Sequence, residues 1–182
     1  MGNVFVFSIN DEAAEAQSGF AAEKGYELET VLNSIGDEVQ AESLRRCCPD
    51  GICYVWAVPD QGGNRSTWNL MSEYDLVLAY RNRSIIAAAY VLMTLESPSV
   101  GTSFWGAGEE GPSLLICFSG KPYTGEVPIL RQMERYLDRD FTGFTRLKPE
   151  KCENILSDYG SFETFVRLGL RYDFPFSFRH SE

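Results

Sequence analysis

Apolar and polar positions alternate over Val4 to Ile9, which reads as a strand, and Asn10 is placed to cap a helix running to about Lys24 with acids in its first turn. A second short helix fits Asp37 to Arg46. After the Pro49-Asp50-Gly51 turn, Ile52 to Val58 is a β-rich run ended by Pro59 and the loop Gln61-Gly-Gly-Asn64. Asp75 to Tyr80 and Ser84 to Met93 are two further strands, separated by Arg81-Asn82-Arg83 at hairpin spacing. Leu114 to Phe118 is an apolar strand and Tyr123 to Val127 a weaker one, while Ile129, Met133 and Tyr136 have helical spacing. Pro149 suits a first helical turn, Cys152, Ile155, Leu156 and Tyr159 share a face, and Ser161 caps a last helix that Gly169 stops. Short strands interleaved with helices predict an α+β fold with a strongly curved sheet or small barrel.

At 182 residues, 44% of them hydrophobic, the chain suits one buried core and is too short for two ordinary domains. A single domain over 1–182 is expected, with a strand-helix lead-in over 1–48, the barrel over 49–147, and C-terminal helices and tail over 148–182. The aromatic tail Tyr172-Asp-Phe-Pro-Phe-Ser-Phe178 packs on the body or leads into a further segment. The longest apolar stretch, Ile85 to Met93, falls far short of a membrane span, and the start has no basic segment of the secretory kind. Five cysteines, an odd number with Cys47, Cys48 and Cys53 close together and Cys117 and Cys152 inside apolar segments, do not resemble a disulfide framework, so reduced thiols and a cytoplasmic location are expected.

A net charge of −10 argues at first against a nucleic-acid partner. Its distribution alters that inference. Residues 1–44 contain nine of the 26 acids and one of the 16 bases, Lys24, so the remaining body carries 17 acids and 15 bases and is nearly neutral. The acidic front is either a solvated surface or a docking face for a basic partner.

Much catalytic chemistry is missing. The one histidine, His180, is third from the end, so hydrolysis through an oriented imidazole and HNH-type nuclease chemistry cannot be assembled. Pro49-Asp50 and Pro59-Asp60 resemble the start of a metal-dependent nuclease motif, but no Asp-x-Lys or Glu-x-Lys follows. Gly120-Lys121 precedes Pro122 and lacks the upstream glycine of a phosphate loop. Cys47, Cys48 and Cys53 have no partner pair at zinc spacing, and Asp138 and Asp140 read as a solvated helix end. No metal, no cofactor and no enzyme activity are expected; a binding module is.

The three tryptophans carry the positive signal. Trp56 ends a strand, Trp68 follows a glycine-rich loop, and Trp105 sits in Ser-Phe-Trp-Gly. Each alone fits core packing, but the three together suggest an aromatic cage. Stacking a base on aromatic rings contributes about 1–3 kcal/mol per base, enough to offset the few kcal/mol of unstacking it. A buried methyl adds only about 0.8 kcal/mol, so discrimination also needs polar pairing at the base edge. Asn64 and Ser66 are placed for that, or else bond their own loop. Arg65, Arg81 and Arg83 flank the same strands and either hold phosphates or are simply solvated. Ala87-Ala88-Ala89 allows close approach by a ligand or fits a tight barrel interior.

The segments Cys53-Tyr-Val-Trp-Ala-Val-Pro59, Gly63-Asn-Arg-Ser-Thr-Trp68, Asp75-Leu-Val-Leu-Ala-Tyr80, Phe104-Trp-Gly106, Gly143-Phe-Thr-Arg-Leu147 and Tyr159-Gly-Ser-Phe-Glu-Thr-Phe165 resemble, in this order, the EVE-type modified-base readers of the PUA superfamily. Val4-Phe-Val-Phe-Ser-Ile9 and Thr30-Val-Leu-Asn33 are similar to that family's lead-in, so the resemblance spans nearly the whole chain. Such domains are specificity modules of modification-dependent restriction systems, found ahead of a McrB-type motor or an HNH nuclease, and are related to the YTH readers of methyladenine. The resemblance implies a PUA-like barrel flanked by helices and a flipped base held by Tyr54, Trp56, Asn64, Ser66, Trp68 and Trp105. It implies modified DNA as the partner, carrying methyladenine, methylcytosine or hydroxymethylcytosine, with cleavage by a separate motor or nuclease; the alternatives are a reader of methylated RNA and an interaction domain whose acidic front binds a basic protein and which has no base pocket. The chain departs from the family where Tyr74-Asp75 replaces Gly-Asp, Trp56-Ala57 replaces Trp-Gly, and Gly111-Pro-Ser-Leu114 replaces an aromatic residue after the Trp-Gly loop.

Overall fold

The computed structural model describes residues 2–9, 24–60, 62–97 and 113–172. The helix expected after Asn10, the segment with Trp105 and the chain beyond Tyr172 lie outside these residues.

Among the described residues eight strands make one sheet: β1 Val4–Ser8, β2 Tyr26–Glu27, β3 Ile52–Pro59, β4 Leu76–Arg81, β5 Ser84–Ser97, β6 Ser113–Phe118, β7 Tyr123–Pro128 and β8 Phe144–Arg146. Their order is β2-β3-β6-β5-β4-β1-β8, with β7 also pairing β5. Only β1 and β4 run parallel; the other pairs are antiparallel. β5 bends the sheet: its first half pairs β4 and β7, its second half pairs β6, and the register shifts once against each of the three. Such irregularities increase local twist and curl. As a result Phe7 on β1 lies 5.9 Å, centroid to centroid, from Trp56 on β3, although three strands separate them in the sheet. The sheet is not closed. Its end strands, β2 and β8, are two and three residues long and do not pair with each other, so the expected barrel is an open, curled sheet.

The β4–β5 hairpin is tighter than expected. Arg81 completes β4, and the turn is Asn82-Arg83 alone, both at positive φ (49° and 61°), as in the primed turns whose twist matches paired strands.

Helices cover the sheet. α1 spans Leu28–Leu32, and α2 spans Glu38–Cys47, where Asp37, expected as the first helical residue, instead caps the helix by accepting from the Val39 and Gln40 amides. α3, Asn64–Trp68, is a single helical turn where a loop is expected. α4, Pro149–Tyr159, has proline in its first turn and ends at Gly160 in the left-handed conformation. α5, Phe162–Thr164, is capped by Ser161 and continues as a π-turn over Phe165–Gly169. The helix expected from Ile129 is only a 3-10 turn, Arg131–Arg135, because Leu130 at its start offers no side-chain acceptor to the free amides.

Three clusters of buried side chains follow from this arrangement. The inside of the curl holds Phe5, Phe7, Trp56, Val58, Trp68, Val77, Ala79, Ala87, Ala89, Val91, Leu114, Ile116 and Phe118 among others. The outer face of β1, β4 and the first half of β5 packs on α4, α5 and the π-turn. The outer face of β3, β6 and the second half of β5 packs on α1 and α2. The alanine run splits accordingly: Ala87 and Ala89 point inward and Ala88 outward. Small inward residues let the sheet curl tightly. Among the described residues, no helix is long and apolar enough to cross a membrane.

Candidate nucleic-acid interface

Strand alternation sets the candidate site. Along β3, Trp56 and Val58 enter the inner cluster with half-buried Tyr54 against it, while Cys53, Val55 and Ala57 face the outer helices. On β1 the same rule turns Phe5 and Phe7 inward. α3 carries Trp68 into the same cluster, so the structure brings two of the three predicted indoles together.

Both indoles are nearly closed off from solvent, Trp56 at 9% exposed and Trp68 at 8%. The Trp68 Nε1–H donates to the Leu115 carbonyl at 3.1 Å, so this side chain is fastened to β6 and its donor is occupied. Two aromatic residues not among the sequence candidates complete the group. Phe7 meets Trp56 edge-on and stacks on Phe144 at 4.2 Å with the rings only 5° from parallel. The signal for Phe7 was present in the alternation Val4-Phe-Val-Phe7; Phe144 lies within the Gly143 to Leu147 segment. The inner cluster meets solvent through its half-buried members Tyr54, Ile86 and Phe144.

The polar candidates separate. Because residues 64–68 are helical, half-buried Asn64 lies on the Trp68 face, whereas exposed Ser66, two residues from Trp68, points to the opposite side. Ser66 therefore does not share a wall with the indole as a loop would have allowed. Arg65 is held by two carboxylates: its Nε donates to both Asp60 oxygens at 2.9 and 3.0 Å and its Nη1 to Glu96 at 2.8 Å. The guanidinium holds the Asp60 carboxyl below its ordinary range, chiefly through these hydrogen bonds, and the two acids raise Arg65 in turn. This network ties α3 to the ends of β3 and β5, a structural task that neither of the two sequence readings of Arg65, phosphate contact or solvation, included. Arg83 makes a 3.2 Å pair with Asp140, both well exposed and therefore easily exchanged. Arg81 is half-buried and has no ion pair among the described residues.

A groove of about 990 Å³ along β7, walled by Tyr123, Met133, Tyr136, Tyr159, Leu170 and Tyr172, was not anticipated. It lies on the outer face and contains none of the inner-cluster aromatics. No group of three or more His, Cys, Asp or Glu that could hold a metal ion occurs among the described residues.

No family model matches the chain, and no curated protein does. Solved structures do. The N-terminal domain of Thermococcus gammatolerans McrB, bound to m5C DNA, aligns over 86% of this chain and 96% of its own length with a TM-score of 0.59 at 19% identity. The YTH domain of Zygosaccharomyces rouxii MRB1, in complex with N6-methyladenosine RNA, aligns over 86% of this chain and 85% of its own at 0.45 and 12%. The ASCH protein of Zymomonas mobilis aligns over 85% and 94% at 0.42 and 13%. The chain has the α+β, PUA-like fold of the McrB domain.

Proposed function

We propose that this chain reads a modified base in nucleic acid, and that the base is methylated or hydroxymethylated and flipped out of DNA. One observation carries the reading: a curled sheet in the fold of a domain solved on m5C DNA gathers Phe7, Trp56, Trp68 and Phe144 on its inner side. The base enters past half-buried Phe144 and Tyr54, with Trp56 as the deeper wall. Trp68 serves as a fixed wall, since its donor is occupied by Leu115. Asn64, on the Trp68 face, is the polar group for the base edge, and Trp105 supplies the remaining aromatic side that the family resemblance assigns to it. Arg81 and Arg83 at the hairpin hold phosphates, Arg83 by exchanging Asp140 for the backbone. The chain works in the cytoplasm as a specificity module, and cleavage falls to a motor or nuclease on another domain or chain.

Matched oligonucleotides test this: duplexes carrying methylcytosine, hydroxymethylcytosine or methyladenine, the unmodified duplex, and methylated single-stranded RNA. Tryptophan fluorescence follows binding. One modified duplex is expected to bind about tenfold tighter than its unmodified match, a difference of about 1.4 kcal/mol. A preference for the RNA would replace DNA as the partner; equal affinity for all would overturn the reading.

A further inference from the structure

We infer that Cys48 and Cys53 form a redox-convertible pair, closed into a disulfide by exchange with a small-molecule disulfide such as oxidised glutathione. Cys48 caps the end of α2, and Pro49-Asp50-Gly51 turns the chain back, with the Gly51 amide donating to the Cys48 carbonyl at 3.0 Å and Gly51 at a φ of 75°. β3 then starts, and its alternation turns Cys53 to the outer face, directly beneath the end of α2. The two sulfurs are 3.1 Å apart. Two thiolates on one tetrahedral zinc, each about 2.3 Å from the metal, would be separated by roughly 3.8 Å, so this spacing suits a bond between the sulfurs better than a shared ion. A disulfide needs them to close to about 2.05 Å, a movement within reach of side-chain rotation next to a turn.

Both thiols are buried, Cys48 at 7% and Cys53 at 1% exposed, and burial pushes both up from the ordinary thiol range. The pair therefore stays reduced until a local opening at the turn admits the oxidant. One thiolate then attacks the small disulfide, forming a mixed disulfide and releasing one small thiol. The second protein thiol attacks that mixed bond and releases the other. Two protein thiols give up two electrons and two protons, and the small disulfide becomes two thiols. Cys47, exposed and adjacent in sequence, competes as an adduct site, and Cys117 lies in the same outer cluster.

The full chain, incubated with oxidised glutathione, denatured in acid, alkylated and weighed, gives the test. The expected product takes up two alkyl groups fewer than the reduced chain treated alike, with Cys48 and Cys53 linked on peptide mapping and the melting temperature raised by about 5 °C. Cys47→Ser and Cys117→Ser should still form it, whereas Cys48→Ser and Cys53→Ser should stop at a glutathione adduct. Wild-type mapping decides the matter if a variant fails to fold. Unlinked Cys48 and Cys53 in the oxidised wild type, or a link through Cys47 or Cys117, would overturn the assignment.

Discussion

Tyr74 stands at a φ of 68° with its side chain 67% exposed, a conformation that suits glycine and strains an L-residue by about 1 kcal/mol or more. It is also the position where the resembling family carries glycine. Tyr74→Gly should raise the melting temperature by about 2–4 °C in a scanning experiment, and a fall would mean that the tyrosine ring makes a compensating contact. Arg83 shares the same strain at φ 61°. Arg83→Gly creates the Asn-Gly turn favoured in two-residue hairpins, so stability should rise by a similar amount while the salt dependence of DNA binding falls by about one phosphate contact. Stability and binding moving together would argue against a phosphate role. The tryptophans show where residue-level reading stopped. Their places beside turns left core packing and an open cage as alternatives; the curl carries Trp56 and Trp68 inside, and curl depends on long-range pairing that no local pattern states. For that reason Trp56→Ala would cost about 3–5 kcal/mol in folding and confuse a binding assay. Trp68→Phe keeps most of the packing but strands the Leu115 carbonyl, an expected loss of about 1–3 kcal/mol in a denaturant titration.

Among the elements, the strands were legible because alternation and turn residues act locally: β1, β3, β4, β6 and β7 fall within a residue or two of where the pattern puts them. The cap at Ser161 and the proline in the first turn of α4 were equally local. α1 escaped notice since five residues without a side-chain cap leave little periodic signal. α3 escaped because a glycine-rich approach hides a one-turn helix whose anchors are distant: Asp60 and Glu96, the latter 31 residues away, hold Arg65. That anchor has a predictable pH response. Asp60 is held below the ordinary carboxylate range by Arg65, so its contribution is present above about pH 4 and is lost as the pH falls through the depressed native value. The environment of Trp68 should therefore change on acidification ahead of global unfolding, read by its fluorescence against far-ultraviolet circular dichroism. In Arg65→Met that early change should vanish; its persistence would place the acid-sensitive group elsewhere.

For the whole molecule, composition and order of elements were enough to reach the α+β class, and the family resemblance supplied the PUA-like form that the McrB domain shares. Openness of the sheet was beyond reach, being decided by two- and three-residue end strands too short to pair. With a net charge of −10, the proposed reading predicts that few phosphates are neutralised and that affinity comes from the aromatic interior more than from the backbone. The most direct test places an isotope-labelled methyl group on the modified base of a duplex and follows its proton resonance as the protein is added. Enclosure between Phe144 and Trp56 should move that resonance strongly upfield through ring currents, and Phe144→Ala should reduce both the shift and the affinity. A bound duplex whose methyl signal keeps its stacked, in-helix position would contradict the account.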